Sequence, residues 1–242
     1  MDESKAQSMP EPGWVETATS KRIMAVLSYS HQAQDIGVIY GGAGVGKTTA
    51  ARHYTAGTGE TWLCTMSPDV SKAAGALEQA CRAMGTQGAL AAARSKQAIL
   101  DKLADRNALL IVDEAQHLTV EALECFRAIY DASRIGLVLM GNAQVYARLT
   151  GGRRDAVFAQ LFSRIGLRLA LSRALKSDAE QIAVAWGVSG KAEITFLSRI
   201  AQAHGALRLM VKTLREAHRS AGGAPLTLDH LQAAWARLGG ES

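Results

Sequence analysis

The pattern of apolar and polar positions divides the chain into a part where strands and helices alternate and a part with helices only. Short continuous apolar runs predict buried strands, and apolar residues at helical spacing predict amphipathic helices. The predicted strands are 35–40, 61–66, 108–114, 135–140 and 166–171. The predicted helical segments are 19–30, a helix opening at 49–54, a mostly helical stretch over 67–107, 120–133, 155–163, 177–186, 191–204, 206–220 and 227–238.

This alternation predicts an α/β fold, a three-layer sandwich with a central parallel sheet. The absence of predicted strands after residue 172 indicates a small, all-helical C-terminal lid domain, whose helices are separated by glycines. We therefore expect a flexible N-terminal tail over 1–13, an α/β domain over 14–172 and a helical lid domain over 173–242.

A glycine-rich loop joins the first predicted strand to the helix that follows it. Glycines in this context let several backbone N–H groups point into one concavity at a helix N-terminus, which favours phosphate binding. We expect Lys47 to reach the β- and γ-phosphates and the Thr48 hydroxyl to bind Mg²⁺. The alternative, a flexible turn, would need neither the Lys-Thr pair nor the flanking strand. The predicted nucleoside triphosphate site consists of Gly41, Gly42, Ala43, Gly44, Val45, Gly46, Lys47, Thr48 and Thr49.

Two acidic residues follow the apolar run at 108–112. The carboxyl end of a buried parallel strand is the edge of the sheet where ligands bind in open α/β folds. We expect Asp113 to help hold Mg²⁺ and Glu114 to polarise the attacking water. Asn142 follows the next strand and is expected to contact that water or the γ-phosphate, the alternative being an asparagine that only stabilises a turn.

Arginines near helix ends are candidates for contacts with nucleotide phosphates. Arg164, at the end of the helix predicted at 155–163, is the first choice for an arginine finger that reaches a neighbouring subunit's nucleotide, with Arg153 and Arg154 as rivals. Arg208 opens a lid helix and is placed to contact the phosphates from the lid.

Charge and cysteine content narrow the class of partner and compartment. Residues 1–20 carry a net charge of −3 and the remainder carries +8, which is compatible with polyanion binding and equally with solubility. Three widely spaced cysteines fit neither a disulfide framework nor a metal cluster, and no apolar run reaches membrane-spanning length, so we expect a cytoplasmic protein. The candidate DNA-contacting residues, whose alternative role is an ordinary charged surface, are Lys72, Arg94, Lys96, Arg153, Arg154, Lys212, Arg215 and Arg219.

Taken together, these motifs resemble the AAA+ ATPases over about residues 14–240. Asn142 stands at the sensor-1 position, Arg164 at the finger position and Arg208 at the sensor-2 position of that class. The stretches Trp14-Val15-Glu16-Thr17, 113–118 and 140–142, with the glycine loop, are similar to the transposition ATPases that include the phage Mu B protein, TniB and TnsC. Only 13 residues precede the resemblance, so we expect no counterpart of the helix-turn-helix domain that precedes the ATPase core of Mu B protein.

The resemblance implies an ATP- and Mg²⁺-dependent ATPase that assembles with itself on double-stranded DNA, as a filament or ring, largely without regard to sequence. It also implies that the assembly presents target DNA to a DDE transposase, activates that enzyme and contributes to target immunity, and that the protein is DNA-associated and has no membrane partner. Two alternatives remain from other classes: a secretion-type AAA+ ATPase, and a nucleotide-switched scaffold that acts on protein partners without DNA.

Overall fold

The computed structural model describes residues 11–88, 91–150, 163–203 and 205–240, without side-chain detail at 148–150. Five strands are described: β1 (Ile36–Gly41), β2 (Thr61–Thr65), β3 (Leu109–Asp113), β4 (Gly136–Gly141) and β5 (Ile165–Leu171). The helices of the first two thirds are α1 (Ala18–Ala33), α2 (Lys47–Gly57), α3 (Ala73–Ala83), α4 (Ala92–Leu103), α5 (Val120–Ser133) and α6 (Ala143–Thr150). The last third holds α7 (Lys176–Ala185), α8 (Lys191–Gln202), α9 (Ala206–Ala221) and α10 (Leu228–Arg237).

The five strands form one parallel sheet in the order β2-β3-β4-β1-β5. Strands β3 and β4 are buried along their whole length, as their continuous apolar sequences predict. Every described strand pair is parallel, so the carboxyl ends of β1, β3 and β4 meet at one edge of the sheet. That edge carries the glycine loop, the Asp113-Glu114 pair and Asn142.

Helices cover both faces of this sheet. Alternate residues of the strands, such as Leu110 and Leu139, pack in one core with Leu77, Ile99 and Phe126 of helices α3, α4 and α5. On the other face, Gly37 lies against Val26 and Ser30 of α1. The predicted α/β sandwich with a parallel sheet and a helical C-terminal region is confirmed.

The chain divides into two compact units. The sheet unit comprises Arg22–Gly42 and Lys47–Leu171, and the helical unit comprises the segment up to Lys21, Ala43–Gly46 and the segment from Ser172 onward. The C-terminal segment of the helical unit begins at Ser172, at the predicted domain limit. The segment up to Lys21 and the middle of the glycine loop also group with the C-terminal helices, which differs from the predicted division. The predicted domain limits stay a prediction.

Helices α7 to α10 of the helical unit pack around a small core of their own, which includes Leu197, Met210 and Leu231. The start of α1 is tied to α7 by the carboxylate of Asp178, which has no solvent exposure. Asp178 accepts hydrogen bonds from the Thr19 backbone N–H at 2.9 Å and from the Thr19 hydroxyl at 2.5 Å. Among the described residues, no helix combines the length and apolarity that a bilayer crossing requires.

Most predicted elements agree with the structure to within a few residues. Helix α6 was not predicted, because no element was assigned to the residues between Asn142 and 151. The helix predicted at 155–163 lies outside the described residues except for its last position.

Candidate active site

The glycine loop closes around the side chain of Lys47. Its glycines Gly41, Gly44 and Gly46 have φ values of 147°, 79° and 94°, which favour residues without a Cβ. The Lys47 ammonium donates hydrogen bonds to the carbonyl oxygens of Gly41 and Gly42, at 3.0 and 2.8 Å. The loop therefore holds a largely buried cation at the start of α2, where a phosphate would also meet the positive end of the helix.

Asp113 ends β3 and is almost fully buried, with 1% of its surface exposed. Its Oδ2 accepts a hydrogen bond from the Thr48 hydroxyl at 2.6 Å, and its Oδ1 accepts one from the Glu114 backbone N–H at 2.9 Å. Burial raises the pKa of Asp113, while the hydrogen bond from Thr48 opposes that rise. A desolvated carboxylate beside a hydroxyl provides the hard oxygen ligands that Mg²⁺ prefers.

Glu114 follows in a left-handed backbone conformation, with φ 55° and ψ 36°, which is uncommon for a residue with a side chain. The Gln116 side-chain amide donates a hydrogen bond to the Glu114 carboxylate. The carbonyl oxygen of the same Gln116 amide accepts a hydrogen bond from the Asn142 backbone N–H at 3.2 Å. The polar ends of β3 and β4 are thus joined through one side chain.

The Asn142 side chain lies at the predicted edge of the sheet. Its Oδ1 accepts a hydrogen bond from the Gln144 backbone N–H at 2.8 Å, which stabilises the turn into α6. The turn-forming alternative accounts for this bond. Contact between Asn142 and a water molecule or the γ-phosphate stays a prediction.

The two predicted phosphate-contacting arginines lie in different surroundings. Arg164 precedes β5 and forms an ion pair with Asp131 of α5, with 3.1 Å between Nη1 and Oδ1, while Asp131 also binds Arg127. Arg208 is exposed in the first turn of α9, and its Cβ would lie 3.4 Å from a Cβ placed on Gly44 of the glycine loop. Arg208 is therefore next to the loop, as its predicted role requires, whereas a role for Arg164 toward a second subunit stays a prediction.

The candidate DNA-contacting residues are spread over both units. Lys72 precedes α3, and Arg94 and Lys96 lie on α4. On α9, Lys212, Arg215 and Arg219 are all exposed. Arg153 and Arg154 lie outside the described residues.

Two of the three candidate DNA-contacting residues on α9 form ion pairs. Arg215 pairs with Glu11 at 2.7 Å, and Arg219 pairs with Glu216 at 2.8 Å. Exposed ion pairs of this kind are worth only about 0–1 kcal/mol, so a phosphate can replace either carboxylate. Carboxylates of Glu11 and Glu216 thus lie beside two of these cations, and a contact of Lys212, Arg215 and Arg219 with DNA stays a prediction.

Sequence reasoning assigned no role to Gln116 or Asp131. The available signal for Gln116 was its position two residues after the catalytic candidate Glu114, within reach of the same edge of the sheet. No local signal connected Asp131 with Arg164, because the two residues lie on different elements 33 positions apart.

The parallel sheet, the glycine loop around Lys47 and the buried acid at the end of β3 define a P-loop ATPase. The AAA domain family matches residues 30–149. A similar solved structure is the Aeropyrum pernix ORC2 protein in its ADP form, with a TM-score of 0.67 at 20% identity over 97% of this chain and 71% of that chain. The chain is an ATPase of the AAA class, as predicted.

More similar relatives narrow the class. The family described as Mu B transposition protein, C terminal, matches residues 163–238. ATP-dependent target DNA activator B of Escherichia phage Mu is 40% identical over 220 residues, which cover 89% of this chain and 70% of the relative. Mu-like prophage FluMu DNA transposition protein B of Haemophilus influenzae is 35% identical over 208 residues, which cover 84% and 71%. The chain belongs to the family of Mu B transposition proteins, so the predicted resemblance is confirmed.

Proposed function

We propose that this protein is an ATP-dependent activator of target DNA in transposition. In this proposal it binds duplex DNA largely without regard to sequence, assembles with itself when ATP is bound, and presents the DNA to a DDE transposase. The family to which the chain belongs supports the role in transposition, and its relative in phage Mu, an ATP-dependent target DNA activator, supports the link between ATP and target DNA. Association with DNA in the cell follows from the same proposal.

The observation that carries the ATPase part is the convergence of Lys47, Thr48 and Asp113 at one edge of the sheet. The Lys47 ammonium is held between two loop carbonyls, and Thr48 is hydrogen-bonded to Asp113. The backbone N–H groups of the loop and the Lys47 charge suit the triphosphate. All three side chains come from strand ends or a helix start, which hold them in place before the nucleotide binds.

The residues present fit Mg²⁺. Thr48 Oγ1 and Asp113 Oδ2 lie 2.6 Å apart and would hold the ion directly or through water. In the described part of the chain, no group of three or more His, Cys, Asp or Glu side chains could hold a metal ion. Mg²⁺ is commonly held by one or two protein oxygens together with water and substrate phosphates, which is what the Thr48–Asp113 pair can provide. Bound there, Mg²⁺ would neutralise phosphate charge.

The remaining side chains have separate roles in this proposal. Glu114 orients and polarises the attacking water, and Asn142 contacts that water or the γ-phosphate. Arg208 contacts the phosphates from the lid. Arg164 acts on the nucleotide of a neighbouring subunit, so that ATP joins the two subunits and hydrolysis weakens their contact.

Binding to DNA is proposed to be dominated by phosphate contacts. The segment 172–240 carries nine Lys or Arg residues and five Asp or Glu residues, a net charge of +4. Among the candidate DNA-contacting residues on α9, Lys212 is exposed and shows no carboxylate partner in the described part of the chain, whereas Arg215 and Arg219 are paired. Backbone contacts of this kind release counterions, so affinity should fall steeply with salt.

Fluorescence anisotropy with a labelled random-sequence duplex tests the proposal. We expect binding that requires ATP and Mg²⁺ and weakens steeply with salt. Lys47→Ala should abolish both ATP binding and DNA binding, whereas Lys21→Ala, a change at an exposed lysine paired with Glu16, should alter neither. Tight ATP binding with no DNA response at low salt would contradict the proposal and favour the scaffold alternative.

The same assay tests Lys212. If Lys212 contacts a phosphate, Lys212→Ala lowers affinity equally for all sequences and reduces the salt slope by about one. Lys21→Ala serves again as the control, because it removes the same charge from an exposed site in the same unit. An unchanged salt slope for Lys212→Ala would remove Lys212 from the DNA-contacting set.

A further inference from the structure

The Gln116 side chain connects two residues of the active site that the sequence treats separately. It belongs to a one-turn 3-10 helix, Ala115–His117, that follows Glu114. The Gln116 amide nitrogen donates to Oε2 of Glu114, and its amide oxygen accepts from the Asn142 N–H at 3.2 Å. Only this orientation of the amide satisfies both partners, since a carboxylate accepts and a backbone N–H donates.

Gly141 provides the space for this connection. A Cβ placed on Gly141 would lie 2.2 Å from Oε1 of Gln116 and 2.5 Å from a methyl group of Val145. Any larger residue at 141 would therefore push the Gln116 amide away from Asn142. The φ of Gly141 lies outside the left-handed region, so its backbone conformation does not require glycine. The space taken by the Gln116 amide does require it.

We propose that Gln116 is a positioning residue that fixes the Glu114 carboxylate relative to the end of β4. The inference rests on the proposed role of Glu114 in ATP hydrolysis. Glu114 has a long side chain on an uncommon backbone conformation, and the Gln116 amide holds one of its two carboxylate oxygens. The other carboxylate oxygen of Glu114, Oε1, is then free to accept the proton of a water molecule. Because the Gln116 amide is itself held by Asn142, the end of β4 sets the position of this acceptor.

Misplacing a catalytic group by about 1 Å can cost up to about a hundredfold in rate. Gln116→Leu keeps a similar side-chain volume and removes both hydrogen bonds. Gln116→Glu keeps the acceptor for the Asn142 N–H but places an oxygen against the Glu114 carboxylate. Gly141→Ala keeps Gln116 and Glu114 in the sequence, but its added Cβ displaces the Gln116 amide. Each of the three variants should release the Glu114 carboxylate from its position, and each does so by a different change at the Gln116 amide.

The test measures ATP hydrolysis in single turnover and at steady state, with ATP affinity by calorimetry and folding by thermal denaturation. We expect each variant to lower kcat about tenfold, with KM and ATP affinity changed less than about twofold. His117→Ala is the matched control, because His117 lies in the same turn and should leave kcat unchanged. The double variant Gln116→Leu/Gly141→Ala should be no slower than the slower single variant, since both act on one contact.

Glu114→Gln separates this inference from the proposed function. If Glu114→Gln hydrolyses ATP at the wild-type rate, the proposed role of Glu114 fails. If it is inactive while Gln116→Leu keeps the wild-type kcat, the inference about Gln116 alone is overturned. If both variants are slow, Gln116→Leu in the Glu114→Gln background should cause no further loss. A further loss of the same size would show that Gln116 acts independently of Glu114 and would overturn the inference.

Discussion

Substitution of Gly44 by alanine tests the contact between the glycine loop and the start of α9. Gly44 has a φ of 79°, and a Cβ on this residue would lie 2.1 Å from the carbonyl oxygen of Gly205. Gly205 precedes α9, so the obstacle is backbone and not a flexible side chain. Both residues belong to the helical unit. Gly44→Ala must therefore shift either the loop or the beginning of α9.

Gly46 provides the matched control for the size of this effect. Its φ is 94°, but nothing lies within 4 Å of a Cβ placed on it. Gly46→Ala should cost only the left-handed backbone strain of about 1–2 kcal/mol in the free energy of unfolding. Gly44→Ala should cost the same strain plus about 1–3 kcal/mol for the steric conflict. For a chain of this size the difference corresponds to about 2–12 °C in Tm.

Calorimetric unfolding of the nucleotide-free protein measures both variants without depending on ATP binding. We expect Gly44→Ala to unfold at the lower Tm. Equal Tm values for Gly44→Ala and Gly46→Ala would refute the close approach of the loop to Gly205, and with it the placement of Arg208 beside the loop.

The contact between Gly44 and Gly205 also predicts that substitutions of Gly44 and Arg208 have coupled effects on ATP affinity. Because Arg208 lies in the first turn of α9, displacing Gly205 also displaces Arg208 from the loop. A charge-assisted contact between Arg208 and ATP predicts that Arg208→Ala lowers ATP affinity about tenfold in the wild-type background. In the Gly44→Ala background we expect a much smaller loss in a calorimetric titration. Equal losses in both backgrounds would show that the two sites are independent.

Three further predictions concern other parts of the chain. Arg164→Ala should keep ATP affinity but lose the ATPase activity that appears as protein concentration rises, and normal rates at every concentration would exclude Arg164 as the finger. Thr19→Ala should lower the free energy of unfolding by about 1.5–3 kcal/mol, because it removes the hydroxyl donor to the buried carboxylate of Asp178. Thr19→Ser retains that donor, so equal urea midpoints for the two variants would contradict this reasoning. Burial raises the pKa of the Cys64 thiol to about 12, so little of it is thiolate at pH 8. Because the thiolate is the reactive form, iodoacetamide should label Cys64 only after unfolding, and mass spectrometry would detect the label.

The sheet and the loop were predictable because their signals are local. Strands β3 and β4 are short, continuous apolar runs buried on both sides, and their length favours a strand over a buried helix. The loop motif combines glycines for the backbone turn with a lysine and a threonine for phosphate and Mg²⁺ binding, all within eight consecutive residues. Helix α5 was likewise predictable, since Thr119 caps its N-terminus and Leu123, Phe126 and Ile129 line one buried face.

The contacts that connect these elements were not predictable from local pattern. Arg215 is paired with Glu11, 204 positions away in the chain, and Asp178 binds Thr19 across 159 positions. Nothing in the spacing of basic residues on α9 indicated that an acidic residue from the N-terminal segment would neutralise one of them. Gln116 was visible as a polar residue, but its two partners depend on the parallel pairing of β3 with β4, which brings the ends of both strands together.

Two carboxylates show how the surroundings distinguish a structural acid from one prepared for a ligand. Hydrogen bonds from Arg219 and Arg237 lower the pKa of Glu216 on the surface of α9, so its ionised form is stabilised by the chain itself. At the end of β3, burial instead raises the pKa of Asp113, although the hydrogen bond from Thr48 and the charge of Lys47 act in the opposite direction. The chain therefore leaves the ionised form of Asp113 incompletely compensated at the edge of the sheet where the phosphates are proposed to bind. A divalent cation between Asp113 and those phosphates would provide the missing compensation, which is the physical reason to place Mg²⁺ there.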